Sequence, residues 1–201
     1  MVRRVFAVAY SVSWIAGLLV FSASTTVRSS GAQLIAGYQG GLGTLQFVLT
    51  EGVASVCLAV VAWAFGGLVR VAGLVAAGLA FAQCGLGIYL TASLVPAGDG
   101  ESAETVFAAI NRVDGVKMFV LAAMAVGGFV FGRRTGRLPA WLGYVALALA
   151  VAIVVSGIGY LLLIDSFATA AYVSLPLLLL WVTGAGLSLR SSSPARVAVP
   201  V

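Results

Sequence analysis

The sequence predicts an all-α fold, a polytopic membrane helical bundle with six transmembrane helices. Of the 201 residues, 62% are hydrophobic and only 8% are charged, and the mean hydropathy is +1.13. The apolar residues form continuous runs of about 20, the length that a helix needs to cross a hydrocarbon layer of about 30 Å. Continuous runs favour helices over a membrane barrel, because barrel strands alternate apolar and polar residues. The same composition excludes a soluble globular domain.

Six runs have this length, and they cover residues 5–25, 45–68, 71–95, 116–132, 139–164 and 168–189. We interpret the first as a span and not a cleavable signal peptide, because it exceeds the apolar core of about 7–15 residues that signals have. Residues 31–43 are interrupted by glycines and by Gln33, Tyr38 and Gln39, which favours a possible re-entrant or interfacial segment over a seventh span. Residues 1–190 are thus predicted to form a single transmembrane helical bundle, and residues 191–201 a disordered cytoplasmic tail.

Charge distribution predicts the orientation, because Lys and Arg are retained on the cytoplasmic side. With a cytoplasmic N-terminus, eight basic residues lie inside, namely Arg3, Arg4, Arg70, Arg133, Arg134, Arg137, Arg190 and Arg196. Three lie outside, namely Arg28, Arg112 and Lys117. We therefore expect a multi-pass protein of the cell (plasma) membrane with both termini cytoplasmic. The net charge of +5 then reflects topology and attraction to anionic lipid, so no nucleic-acid partner is expected.

Several kinds of chemistry lack their essential residues. The chain has no histidine, and its two cysteines, Cys57 and Cys84, lie near the middle of separate runs with no Cys-x-x-Cys pair. Quinone-linked disulfide chemistry, haem ligation through histidine and zinc hydrolysis by a His-Glu-x-x-His helix are therefore excluded. We expect neither a metal nor a cofactor.

The polar candidates lie on the predicted outer side. Glu51 falls inside the second run, just within the hydrocarbon boundary, and an ionisable residue there is a site hypothesis by default. Its predicted partners are Arg112 or Lys117, with Arg28 as a third. Asp114 lies three residues before Lys117, so the two can pair along one helix. At similar depth we expect the remaining members of an outer polar vestibule over an apolar floor, namely Gln46, Asn111, Tyr160 and Asp165.

Three function classes remain open, and the sequence does not determine the oligomeric state or whether the protein is an enzyme. The first is a lipid-bilayer protein that binds a lipid, an isoprenoid or another hydrophobic small molecule, or serves as a membrane subunit. The second is an acid-catalysed terpenoid or lipid cyclase or isomerase using Glu51, with Asp114 or Asp165. The third is a transporter, which needs buried charge or broken helices at the midplane. There the sequence offers only Gln83, Ser174, Pro176 and Thr183. A purely structural role, in which Glu51 pins two helices together, is the alternative to any site.

A basic turn and the segment after it resemble a known family. The turn runs from Arg133 and Arg134 to Leu138-Pro139-Ala140-Trp141-Leu142-Gly143, and the following run closes with Gly159-Tyr160 and then Asp165-Ser166-Phe167. This pattern resembles an uncharacterised bacterial integral-membrane family, domain-of-unknown-function family four-three-eight-six. The resemblance implies a bundle of six to seven helices and no specific activity.

Overall fold

The computed structural model describes residues 1–21 and 23–189, and it confirms the all-α polytopic bundle. Seven helices make up this part of the chain: α1 Val2–Val20, α2 Gly31–Tyr38, α3 Leu42–Trp63, α4 Gly67–Ala97, α5 Gly100–Thr135, α6 Ala140–Leu162 and α7 Asp165–Ser188. All but α2 are long and apolar enough to cross a membrane. The protein is therefore a multi-pass membrane protein. The predicted tail 191–201, with Arg190 and Arg196, lies outside the described residues.

Helix boundaries differ from the predicted runs where polar residues continue a helix. The largest difference is α5, which has 36 residues and begins 16 residues before the predicted start of its apolar run at residue 116. Asp99 caps this helix by accepting a hydrogen bond from the Ser102 amide at 3.1 Å, and the contact with Ser102 lowers the pKa of the Asp99 carboxyl. Hydropathy detects only the part of a helix that lies in lipid, so it misses these polar first turns.

The segment predicted to be re-entrant or interfacial contains a short helix, not a seventh span. Its helix α2 has 8 residues and is about 12 Å long, less than half of a hydrocarbon layer. Ser30 and Gln33 form a reciprocal capping box at its start, and α2 packs against α5. Gly40 and Gly41 then turn the chain into α3 with φ of +112° and +83°, values that favour glycine.

The six long helices form a closed ring. Each packs against the next long helix along the chain, and α7 returns to pack against α1. Arg3 Nε donates to the Gly186 carbonyl at 2.8 Å, and the hydroxyls of Ser11 and Thr183 lie 2.7 Å apart, so α1 and α7 are joined along one half of their length. That half belongs to the basic end of the bundle, defined by Arg3, Arg4, Arg70, Arg133, Arg134 and Arg137. The opposite, acidic end carries Asp99, Glu101, Glu104 and Asp165.

Two hydrophobic clusters fill the ring. The larger lies toward the basic end and is built around residues such as Phe65, Leu142, Leu149 and Trp181. The smaller lies at the acidic end, where α2 covers the ends of α4 and α5. Between the two clusters lies a layer of buried polar side chains, and this layer contains the candidate site: Thr50, Glu51, Gln83, Asn111 and Lys117.

Candidate functional site

A wide helical turn places Glu51 inside the ring. Residues Val48–Val53 form a π-helical turn within α3, a local irregularity that often occurs at functional sites. The Thr50 hydroxyl donates to the Gln46 carbonyl at 3.0 Å. Gly17 of α1 permits the close approach, because a Cβ atom there would lie 2.5 Å from Thr50 Cγ2. Glu51 is buried, with 7% of its surface exposed.

Lys117 of α5 lies between two carboxylates. Its ammonium is 2.8 Å from Glu51 Oε2 and 2.7 Å from Asp114 Oδ1. The side chain of Asp114 is 16% exposed and those of the other two are less exposed still. We call these three residues the ion cluster. When both carboxylates and the ammonium are ionised, the three groups together carry one net negative charge.

Gln83 of α4 is the fourth polar group at this level. Its side-chain nitrogen donates to Asp114 Oδ1 at 3.2 Å and to the Ile110 carbonyl at 3.1 Å. Its side-chain oxygen is buried and has no hydrogen-bond partner within the described part of the chain. A buried carbonyl oxygen without a donor is uncommon in folded proteins and calls for an explanation.

Two cavities meet at the ion cluster. The larger, of about 430 Å³, lies in the centre of the ring and receives side chains from all six long helices, among them Tyr10, Leu58, Ala80, Leu121, Ile153 and Leu178. The smaller, of about 230 Å³, extends toward the acidic end and is lined by Thr25, Tyr38, Gln46, Gln83 and Asn111. Both cavities share five residues, namely Trp14, Thr50, Glu51, Asp114 and Tyr160.

The larger cavity reaches the surface between α1 and α7. Leu18 and Tyr172 line it and are 40% and 83% exposed, and the lining residue Pro176 is also exposed. On the basic side of this gap the two helices are closed by the contacts of Arg3, Ser11 and Thr183 described above. The gap therefore faces the side of the bundle, where lipid tails surround a membrane protein.

The structure brings together six of the eight predicted site residues. Gln46, Glu51, Asn111, Asp114 and Tyr160 line the smaller cavity, and Lys117 lines the larger. Of the partners predicted for Glu51, Lys117 is the one that pairs with it. The predicted pairing of Asp114 with Lys117 is also observed.

Arg112 and Asp165 are exposed and line neither cavity. Asp165 instead accepts a hydrogen bond from the Val27 amide at 3.1 Å, which ties the loop after α1 to the start of α7. Arg28, the third predicted partner of Glu51, donates to the Leu163 carbonyl. The predicted depth of a residue along its helix does not show whether its side chain lines the cavities or contacts a loop.

The ion cluster lies deeper than predicted. Lys117 precedes Arg133 by 16 residues, or about 24 Å of helix, and Glu51 precedes Trp63 by 12 residues, or about 18 Å. Glu51 thus lies near the middle of α3 and not at its edge. Asp114 lies at the same level as Glu51, because both carboxylates contact the ammonium of Lys117.

Sequence reasoning missed the aromatic wall of the site. Tyr10 and Trp14 lie four residues apart on one face of α1, and both line the larger cavity. That spacing could have indicated a shared face, but nothing local connects α1 to Glu51. Gln83 was noted only as a polar residue at the midplane, and its contact with Asp114 depends on how α4 packs against α5.

No protein-family model, curated protein or solved structure matches the chain. The geometry of the cavities and of the ion cluster is therefore what indicates a function.

Proposed function

We propose that the protein binds an amphipathic small molecule of lipid or isoprenoid type within the membrane. The apolar body would occupy the larger cavity, and the polar head would lie at the ion cluster. One observation carries this proposal: a largely apolar cavity of about 430 Å³ has charged side chains at one end and a lipid-facing gap at its side. Small-molecule sites are typically concave and mostly apolar, with a few polar groups that fix orientation.

A purely structural ion pair does not account for the cavity. Protein interiors are close-packed, and an unfilled cavity forfeits dispersion contacts that would otherwise stabilise the fold. If Glu51 served only to pin α3 to α5, the ring could close around the pair with larger side chains. Instead, Ala80 and Ala171 line a space that larger residues would fill.

We also propose that the basic end faces the cytoplasm. Six arginines define this end, whereas Arg28 and Arg112 are the basic residues near the acidic end. Lys117 is left out of this comparison of basic residues at the two ends, because it is buried in the ion cluster. Arg70 lies over the Trp63 ring at 5.1 Å, a pairing suited to a membrane interface. The smaller cavity would then open toward the outside.

Membership in the uncharacterised family named above stays a proposal. It is supported by the run from Leu138 to Gly143, and by Gly159-Tyr160 followed by Asp165-Ser166-Phe167. It adds no activity, so the functional proposal does not depend on it.

Transport is the second candidate, and one observation now favours it. The sequence predicts only the uncharged residues Gln83, Ser174, Pro176 and Thr183 at the midplane. Buried charged side chains are present within the long helices, and one of them, Glu51, lies on a π-helical turn. Such features mark ion and substrate paths in membrane proteins. No observation favours a cyclase or isomerase over binding, so acid catalysis by Glu51 remains an alternative prediction.

Filling the larger cavity tests binding. Ala171 lines the cavity and is half-buried, whereas Ala148 lies on the exposed face of α6 and lines neither cavity. Ala171→Phe should weaken the binding of 1-decanol, because the phenyl ring would occupy space that the decyl chain otherwise fills. We expect a decrease of about tenfold in affinity, which corresponds to a loss of about 1.4 kcal/mol. Decanol is titrated against the protein, and its occupancy is measured by native mass spectrometry. Ala148→Phe, the matched control, should bind like the parent. Equal decanol binding by the parent and both variants would contradict the proposal.

A further inference from the structure

The charges around the larger cavity do not balance. Glu51 and Asp114 both contact Lys117, and no second cation contacts either carboxylate among the described residues. Arg112, the nearest arginine along α5, is exposed and lines neither cavity. In a region of low dielectric, an unmatched buried charge is costly. With both carboxylates ionised, the ion cluster is balanced only when one more positive charge, a proton or a bound cation, is added.

Several hydrogen-bond acceptors beside the cavities have no donor. Lys117 and Gln83 contact one oxygen of each carboxylate, Oε2 of Glu51 and Oδ1 of Asp114. The second oxygen of each carboxylate has no donor among the described residues. The side-chain oxygen of Gln83, which lines the smaller cavity, is also without a donor although Gln83 is only 2% exposed. A ligand that supplies N–H donors would satisfy these atoms.

Aromatic rings complete the surroundings. Tyr10, Trp14, Tyr160 and Tyr172 all line the larger cavity, and Trp14 and Tyr160 also line the smaller one, next to Glu51 and Asp114. The faces of such rings attract cations, most strongly where water is excluded. Carboxylates, free acceptors and aromatic side chains thus coincide where the two cavities meet.

We infer that the ligand is a hydrophobic cation, a protonated amine on an apolar body, whose ammonium group lies against Glu51 and Asp114. This inference rests on the proposed function, because it assigns the head group of a ligand whose body fills the larger cavity. An anionic head would add a third negative charge beside a single ammonium. A neutral alcohol would leave the second carboxylate to be balanced by a proton.

Three probes that share one chain and differ in head charge test the inference. Decylamine, 1-decanol and decanoate are titrated at neutral pH against purified full-length protein in one detergent, and occupancy is read by native mass spectrometry. Decylamine should bind at least about tenfold more tightly than decanol, because a full charge at contact distance is worth more than that in a buried site. Decanoate should bind most weakly.

Two variants and a control attribute the preference to the ion cluster. Glu51→Gln and Asp114→Asn each remove one carboxylate charge, so each should lower the ratio of decylamine affinity to decanol affinity by about tenfold. Glu101→Gln removes the same charge from an exposed residue that lines neither cavity, and it should keep the preference of the parent. A melting curve for each variant confirms that it is folded.

The outcomes separate the two proposals. Equal binding of the three probes, with all three weakened by Ala171→Phe, would overturn the cation inference and leave the apolar site intact. The inference is also wrong if decanoate binds most tightly, or if Glu51→Gln and Asp114→Asn both keep the preference for decylamine. If Ala171→Phe leaves the binding of all three probes unchanged, the proposed function itself is wrong.

Discussion

Glu51 and Lys117 lie 66 residues apart in the chain, yet their side chains form a 2.8 Å ion pair inside the ring of helices. The pair joins α3 to α5, two helices that are separated by α4 in the order of the ring. Asp114 adds a second carboxylate 2.7 Å from the same ammonium. Within the described part of the chain, Lys117 therefore forms two ion pairs, and each carboxylate forms one.

Lys117→Met should destabilise the bundle more than Glu51→Gln. Removing the ammonium leaves two buried carboxylates facing each other, a loss on the order of 3–5 kcal/mol for a fully buried charge and less where water enters from the cavities. Glu51→Gln leaves Lys117 paired with Asp114, so its cost should be smaller. Unfolding of both variants in one detergent measures the difference.

The double variant is the control for this prediction. Adding Glu51→Gln to Lys117→Met removes one of the two unmatched carboxylates, so it should restore part of the lost stability. If Lys117→Met were no less stable than Glu51→Gln, the ammonium would not hold the ion cluster together.

Gln83→Glu and Gln83→Met should differ in stability although their side chains are of similar size. Methionine removes the hydrogen bond to Asp114 and also the unpaired oxygen, so a loss of about 1 kcal/mol is expected. Glutamate places a third carboxylate beside Asp114, and like charges in a buried site should add to the loss. Melting temperatures at neutral pH compare the two. Equal melting temperatures would show that water or a ligand screens this part of the layer.

Gly115→Ala should separate α5 from α6 next to the ion cluster. A Cβ atom at this position would lie 2.6 Å from the backbone nitrogen of Leu161 and 2.9 Å from the Gly157 carbonyl oxygen. Neither backbone atom can move freely, so we expect a loss of about 1–3 kcal/mol. Gly78→Ala is the matched control, because nothing lies within 4 Å of its added Cβ. A stable Gly115→Ala protein with unchanged decanol binding would contradict this packing.

The two ends of α5 should react from opposite sides of the membrane. Thr135 and Glu101 are exposed near its two ends, about 51 Å apart along the helix. In a background with Cys57→Ala and Cys84→Ala, Glu101→Cys should react with an impermeant maleimide added to intact cells. Thr135→Cys should react only after the inner face is opened. Labelling of Thr135→Cys in intact cells would reverse the proposed orientation, and labelling of both from one side would contradict a membrane-spanning α5.

Hydropathy was sufficient to predict the membrane-spanning runs, but it does not detect the polar turns by which some helices extend beyond those runs. The runs at 71–95 and 139–164 correspond closely to α4 and α6, because each of these helices is apolar over nearly its whole length. The polar start of α5 does not register in the hydropathy, since Glu101 and Glu104 continue a helix that lipid does not surround. The short helix α2 was recognised only as a segment unsuited to span, and its capping box of Ser30 and Gln33 was overlooked.

The sequence by itself determined the number of spans and the residue types at the acidic end, because apolar length and the depth of a polar residue along a helix are local properties. It also identified the pair of Asp114 and Lys117, which are one helical turn apart. Only the tertiary structure decided that Lys117, and not Arg112, meets Glu51, and that Tyr10, Trp14 and Gln83 surround them. Those contacts depend on the rotation and closure of the helical ring, which arise from packing between distant segments and not from the spacing of residues along one helix.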